Sequence, residues 1–153
     1  MSLEELGGVQ LYRSVRVGEA AASAAGYRGV MSGEATMHIG EVAERTGLSL
    51  RTLRHYDEVG LVTPSARTAG GFRLYTERDV QRLLAIRRMK PLGYTLEQMG
   101  ELLRALDVLE SAPGDGPARA ALAALTADAV ERRERLSRHL AMADEFLAML
   151  TEA

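Results

Sequence analysis

Apolar and small residues recur every three or four positions from residue 38 onward, which is the spacing of an amphipathic helix. The first such segment, IGEVAERTG, places four of them on one face: Ile39, Val42, Ala43 and Thr46. Gly47 is expected to end this helix, and Ser49 to cap a second one. In that second helix the inward-facing candidates are Leu53, Tyr56 or Val59. Two short helices separated by a two-residue turn are typical of a helix-turn-helix, which leaves its second helix available for recognition.

The pattern changes over the next segment, LVTPSARTAGGFRLY. Its proline is expected to stop a helix, its Gly-Gly pair permits a tight reversal, and FRLY has strand character. The segment therefore predicts a small β-hairpin, or wing, that carries Arg67 and Arg73. Phe72 and Tyr75 are expected to pack within the wing rather than stack on bases.

Two further helices each begin with a threonine followed three positions later by a polar partner, the spacing of a capping box. The pairs are Thr76 with Asp79 and Thr95 with Gln98. The apolar stripes that follow them are Val80, Leu83, Leu84 and Ile86 in one helix and Leu96, Met99, Leu103 and Leu106 in the next. A proline and a glycine within KPLG separate the two helices.

A long terminal helix is predicted from about residue 118, because alternating steps of four and three keep apolar residues on one seam. The seam residues proposed as a dimer interface are Leu122, Leu136, Leu140, Ala143, Leu147 and Leu150. Thr126 and Arg133 dilute the first half of this seam. Such a seam needs a partner helix, and a second copy of the chain is favoured over folding back onto the same domain.

These segments divide the chain into four parts. Residues 1–36 are rich in Ala, Gly and Ser without a helical period, so we expect a disordered extension. Residues 37–109 form the predicted winged helix-turn-helix domain, residues 110–117 a linker, and residues 118–153 the dimerisation helix. The predicted fold class is therefore mainly α, with a small β-hairpin.

Charge is distributed unevenly along the 153 residues. Segments 1–37, 38–90 and 91–153 carry net charges of −1, +4 and −5, so the positive field lies in the middle third, where a polyanion such as DNA would bind. The absence of cysteine excludes disulfides, thiolate zinc sites and cysteine nucleophiles. Neither a signal peptide nor a run long enough to cross a bilayer is recognisable, so a cytoplasmic protein without membrane association is expected.

The segment from IGEVAERTGLSLRTLRHYDEVGL to LGYTLEQMGELL, residues 38 to 104, resembles the DNA-binding domain of the MerR family of transcriptional regulators. Its most specific elements are TLRHYDEVGL, GGFRLY and LGYTLEQM. The resemblance implies a winged helix-turn-helix homodimer joined by an antiparallel coiled coil on a pseudo-palindromic promoter. It also implies that the bound DNA is bent and untwisted so that RNA polymerase can engage both promoter elements.

Seven residues are predicted to contact DNA: Arg51, Thr52, Arg54, His55, Tyr56, Arg67 and Arg73. Arginine reads guanine edges with two donors and also binds phosphates. By the resemblance, Arg54, His55 and Tyr56 match an Arg-Tyr-Tyr contact cluster, with an imidazole replacing one phenol. The alternatives are a solvated His55 and a Tyr56 ring buried against the first helix. Phosphate contact and a solvated face are equally open for Arg45, Arg87, Arg88 and Lys90.

No cofactor or metal is expected, because His38, His55 and His139 are widely separated and thiol ligands are absent. Three residues follow Leu150, which leaves no room for a large ligand domain unless the chain is truncated. The sequence leaves three alternatives for the effector: a small ligand beside the dimer helix, a protein partner, or no effector. An architectural, excisionase-like DNA-bending protein and a coiled-coil adaptor remain alternatives, whereas no phosphate loop or nucleophile-base pair indicates an enzyme.

Overall fold

A computed structural model of the chain describes residues 34–152, which contain five α-helices, a short 3-10 helix and a three-stranded antiparallel sheet. The elements are β1 Thr36–His38, α1 Ile39–Thr46, α2 Leu50–Glu58, β2 Ala66–Arg67, β3 Arg73–Thr76, α3 Glu77–Met89, the 3-10 helix Lys90–Leu92, α4 Leu96–Ser111 and α5 Gly116–Thr151. The predicted mainly helical, winged helix-turn-helix fold is confirmed. The disorder predicted for residues 1–36 concerns positions outside the described residues, apart from the last three.

The turn between α1 and α2 is built by the residues that the sequence indicated. Gly47 adopts φ +67°, a left-handed conformation that glycine accommodates without steric cost, and its amide closes α1. The Ser49 hydroxyl accepts the Thr52 amide at 3.0 Å and thereby caps α2. Leu53 is buried as predicted, whereas Val59 is 49% exposed because α2 ends one residue before it.

The wing is wider than the predicted hairpin. β3 lies at the centre of the sheet and pairs with β2 on one side and with β1 on the other. The hairpin register places Arg67 opposite Arg73, while Met37 of β1 lies opposite Tyr75. The segment just before the helix-turn-helix therefore supports the wing from its far side.

A single apolar core joins the helix-turn-helix, the sheet and the next two helices. Its most deeply buried members are Val42, Leu53, Tyr75, Val80, Leu83, Ile86 and Leu103. Each of these apolar side chains contributes about 1.5–3 kcal/mol when it is removed from water. The core thus fixes α2 and β3, the two elements that carry the predicted DNA contacts, in one rigid body.

Both predicted capping boxes are present, at Thr76 with Asp79 and at Thr95 with Gln98. The Asp79 carboxylate also accepts the Ser65 hydroxyl at 2.6 Å, which ties the loop before β2 to the start of α3. Leu96 is exposed rather than part of the predicted stripe, because it begins α4 at the edge of the domain beside α2.

The terminal helix α5 begins at Gly116, and the loop before it is shorter than the predicted 110–117 linker because α4 continues to Ser111. Asp115 caps α5 by accepting the Ala118 amide at 2.8 Å. The first half of α5 packs on the domain through Ala118, Leu125 and Ala129, and residues 133–152 are exposed. No helix in the described part of the chain is long and apolar enough to span a bilayer.

Candidate nucleic-acid interface

The outer face of α2 carries a row of exposed cationic and polar side chains. Arg51, Arg54 and His55 all point to solvent, while Leu53 and Tyr56 hold the opposite face of the helix on the core. This division follows from the 3.6-residue period, which places i and i+3 on the same side of a short helix. The face is therefore free to enter a groove while its backbone stays fixed.

An open groove runs along this face and extends toward the start of α4. Its lining comprises five of the predicted contacts and three further residues: Arg51, Thr52, Arg54, His55, Tyr56, Glu58, Lys90 and Leu96. Lys90 was a candidate phosphate neighbour, but Glu58 and Leu96 were not foreseen because their proximity depends on how α4 packs beside α2. The arrangement brings a lysine to the flank of the recognition face.

Two of the residues predicted to contact DNA, Thr52 and Tyr56, already interact with other parts of the protein. The Thr52 hydroxyl lies 2.8 Å from the Ser49 hydroxyl, so the cap orients it. The Tyr56 side chain is only 3% exposed, which supports the alternative of a buried ring, and its centroid lies 6.3 Å from that of His55. Exposed Arg51, Arg54 and His55 are consequently better placed for base contact than Thr52 or Tyr56.

The two wing arginines converge on one carboxylate that the sequence interpretation missed. Asp57 Oδ2, near the end of α2, accepts Arg73 Nε at 2.6 Å and Arg67 Nη2 at 2.8 Å. The hydrogen bond to Asp57 is the main cause of a raised pKa of Arg73, which keeps this guanidinium charged. Asp57 therefore fastens the wing to the recognition helix and sets both cations on the same side of the domain as α2.

Substitution of Asp57 by asparagine is expected to lower selective DNA binding about threefold to tenfold, the effect of losing charge-assisted hydrogen bonds at a partly exposed site. Affinity for unrelated duplex DNA is expected to stay equal or rise, because a negative charge is removed beside the phosphates. Fluorescence anisotropy measures the two affinities, one with a duplex selected from a random pool and one with a scrambled duplex. Glu44→Gln is the matched control, since it removes the same charge from an exposed position outside the groove. Equal losses in the two variants would contradict a specific role for Asp57.

Other basic side chains of the middle segment have structural partners. Arg45 Nη1 forms an ion pair with Glu77 at 2.7 Å, which lowers the pKa of Glu77. Arg87 Nη1 donates to the Thr46 carbonyl at 2.8 Å and so caps the end of α1. These two contacts favour structural roles for Arg45 and Arg87, whereas exposed Arg88 and Lys90 have no such side-chain partner within residues 34–152. The wing residue Phe72 is 69% exposed, with its ring edge near Gly70, so the expected packing of Phe72 is wrong and that of buried Tyr75 is confirmed.

The proposed dimer seam lies mostly in the exposed half of α5. Leu136, Leu140, Leu147 and Leu150 are each about half exposed or more, and Ala143 is exposed between them. Leu122 is partly buried because the first half of α5 lies against α4. Among residues 34–152, no cluster of three His, Cys, Asp or Glu side chains could hold a metal ion.

Comparison with known proteins gives consistent findings. A family model described as "MerR HTH family regulatory protein" matches residues 37–106. The HTH-type transcriptional regulator CueR of Salmonella typhi is 33% identical over 117 residues, which cover 74% of this chain and 78% of CueR. HmrR of Sinorhizobium medicae, another HTH-type transcriptional regulator, is 43% identical over 67 residues, 44% of this chain and 46% of HmrR. The match thus spans less than half the length of HmrR.

Among solved structures, HiNmlR is described as a MerR family regulator lacking the sensor domain, bound to promoter DNA. It superimposes with a TM-score of 0.60 and 26% identity, covering 78% of this chain and 93% of HiNmlR. The aligned 78% of this chain is more than the residues 37–106 that the family model matches. The similarity to HiNmlR therefore extends beyond the winged helix-turn-helix domain into the terminal helix.

Proposed function

This chain belongs to the MerR family, whose members are transcription regulators rather than enzymes, and on that premise we propose that it binds promoter DNA as a homodimer and regulates transcription. The observation that carries the proposal is the exposed cationic face of α2, with the two wing arginines fastened beside it by Asp57. DNA binding by this chain agrees with the description of HiNmlR as a MerR family regulator bound to promoter DNA.

The proposed contacts divide into those that read bases and those that position the protein. Arg54 and His55 lie on the exposed face of α2 and are assigned to base edges in the major groove, with Arg51 beside them. Arg67 and Arg73 are assigned to phosphates flanking that groove, because Asp57 uses one edge of each guanidinium and fixes its direction. Thr52 and Tyr56 also line the groove, and we assign their hydroxyl groups to contacts with the phosphate backbone of the DNA.

The proposed dimer forms through the outer half of α5. Leucines 136, 140, 147 and 150 recur with heptad spacing and have solvent where a partner helix would lie. Burial of such side chains against a second copy contributes about 1.5–3 kcal/mol each, which favours association. An antiparallel pair places the two reading heads at opposite ends of the coiled coil and relates them by a two-fold axis, the symmetry that an inverted-repeat operator also has.

We assign regulation to distortion of the bound promoter in the cytoplasm, with RNA polymerase responding to the altered DNA rather than to a direct contact. Bending a site of 20–30 base pairs costs roughly 1–6 kcal/mol, which the protein–DNA contacts must supply. The effector remains one of three classes: a small molecule, a protein partner, or none. In vitro transcription with purified polymerase distinguishes a regulator from a purely architectural protein, because only the regulator changes transcript yield.

The test of DNA recognition is selection from a random duplex pool at moderate ionic strength. We expect enrichment of an inverted repeat whose half-sites lie on one face of the duplex. The affinity for that repeat should fall steeply as salt rises, since phosphate contacts release counterions. Recovery of no common sequence, or binding that is insensitive to salt, would refute the proposal and favour a protein-interaction adaptor.

A further inference from the structure

Arg132 on α5 makes four contacts, three of which join the terminal helix to the DNA-binding body. Its Nη1 donates to the carbonyl oxygens of Leu92 at 3.1 Å and Gly93 at 3.0 Å, where the 3-10 helix ends. Its Nε donates to Asp128 at 2.7 Å, one turn earlier on α5. The guanidinium carbon lies 4.1 Å from the centre of the Tyr94 ring, a cation–π geometry.

Tyr94 and Asp128 complete this cluster. The Tyr94 hydroxyl donates to the Leu125 carbonyl at 3.5 Å, so the ring is held by α5 at its edge and by Arg132 over its face. Burial, together with the Asp128 carboxylate, raises the pKa of the Tyr94 hydroxyl and keeps it a donor. The hydrogen bond from Arg132 lowers the pKa of Asp128. Arg132, Asp128 and Tyr94, here called the clasp, thus fix the roll and tilt of α5 on the body.

The clasp sits where α5 leaves the domain. The Arg132 side chain is 18% exposed, and every described residue after it is exposed. The helix beyond this point is about 28 Å long at 1.5 Å per residue. A tilt of about 10° at the clasp would move its tip by about 5 Å, more than the ~3.4 Å rise of one base pair.

We infer that Arg132 is a positioning residue that sets which half-site separation the dimer accepts. The inference rests on the proposed function, because it requires two reading heads joined through α5. In such a dimer, the distance and rotation between the heads depend on the angle at which each body meets its own α5. Rigid contacts at that junction restrict the angle, and a restricted angle discriminates between operators that differ only in their central spacer.

The experiment uses the inverted repeat selected from the random pool, together with duplexes whose centre is shortened or lengthened by one and two base pairs. For the natural chain we expect affinity to fall about tenfold for a change of one base pair, the size of a typical operator defect. For Arg132→Gln we expect a fall of less than about threefold, because the junction can adapt. Arg138→Gln is the matched control, since it removes the same charge from an exposed position farther along α5.

Asp128→Asn provides a second variant that preserves side-chain volume at a site outside the core and removes the carboxylate that holds Arg132 Nε. We expect the affinity of this variant also to depend less on spacer length than that of the natural chain, but by a smaller margin than for Arg132→Gln. Circular dichroism and sedimentation establish that each variant is folded and dimeric. If the affinity of folded Arg132→Gln or Asp128→Asn depended on spacer length as steeply as that of the natural chain, the inference would be overturned. Failure of the natural chain to select any inverted repeat would instead overturn the proposed function.

Discussion

Replacement of Arg54 by alanine is expected to remove selective operator binding while leaving the fold and the dimer intact. Arg54 is exposed in the middle of α2, and within residues 34–152 its side chain has no hydrogen bond or ion pair, so truncation removes no structural polar contact. A bidentate contact between arginine and guanine discriminates by about 1–3 kcal/mol. Because a two-fold dimer loses it in both half-sites, affinity for the selected repeat should fall at least about thirtyfold.

Mobility-shift titration of the selected repeat and of a scrambled duplex measures this loss. Affinity for the scrambled duplex should fall far less, since one cation of many is removed from each subunit. Arg54→Lys separates the two roles of the side chain: lysine keeps the charge near phosphate but lacks the two-pronged donor, so it should bind the scrambled duplex normally and still lose selectivity. Unchanged affinity of Arg54→Ala for the selected repeat would refute the role of Arg54 in base reading.

Substitution of Leu140 by glutamate is expected to convert the dimer into monomers with weakened operator binding. Leu140 is 64% exposed in the single chain, and so the monomer tolerates a polar side chain there. In the proposed coiled coil the same position faces the partner seam, where an unpaired carboxylate is costly to desolvate. The lost burial alone is about 1.5–3 kcal/mol for each leucine, and both copies lose it.

Sedimentation velocity over a range of concentrations measures the monomer–dimer equilibrium of Leu140→Glu. Ala141→Glu is the control: it adds the same charge at the adjacent exposed residue, which lies on another face of α5. That variant should remain dimeric and bind the operator normally. A Leu140→Glu protein that sediments as the dimer would count against the assignment of the seam.

Local signals in the sequence were sufficient for much of the fold. Caps and turns depend on neighbours within four residues, which is why Gly47, Ser49 and the two capping boxes were predicted correctly. The helical period likewise identified most of the residues that are buried within the helices. Val59 and Leu96 were misassigned because each lies at a helix end, where the period no longer determines which side chains meet the core.

Contacts between distant parts of the chain escaped prediction. Strand β1 contains only three residues and is a strand because it pairs with β3. The paired residues Met37 and Tyr75 are 38 positions apart in the chain. The clasp joins Arg132 to carbonyl groups about 40 residues earlier in the chain. The roles of Asp57 and Arg132 depend on the folded geometry, since each looks like an ordinary surface charge in the sequence. The outward face of α2 could be predicted, but not the carboxylate that fixes the wing beside it.

If the chain dimerises as proposed, the exposed outer half of α5 also makes promoter occupancy depend steeply on the concentration of the protein. A helix segment of about 20 residues without tertiary support is only marginally stable in water. Beyond Arg132 this segment has no such support from its own body, so in the proposed dimer we expect association with a second chain and full helix formation to occur together. Below the dissociation constant of the pair, the population of assembled reading heads grows with the square of the chain's abundance. A modest rise in synthesis would then fill the promoter disproportionately, even without a bound effector.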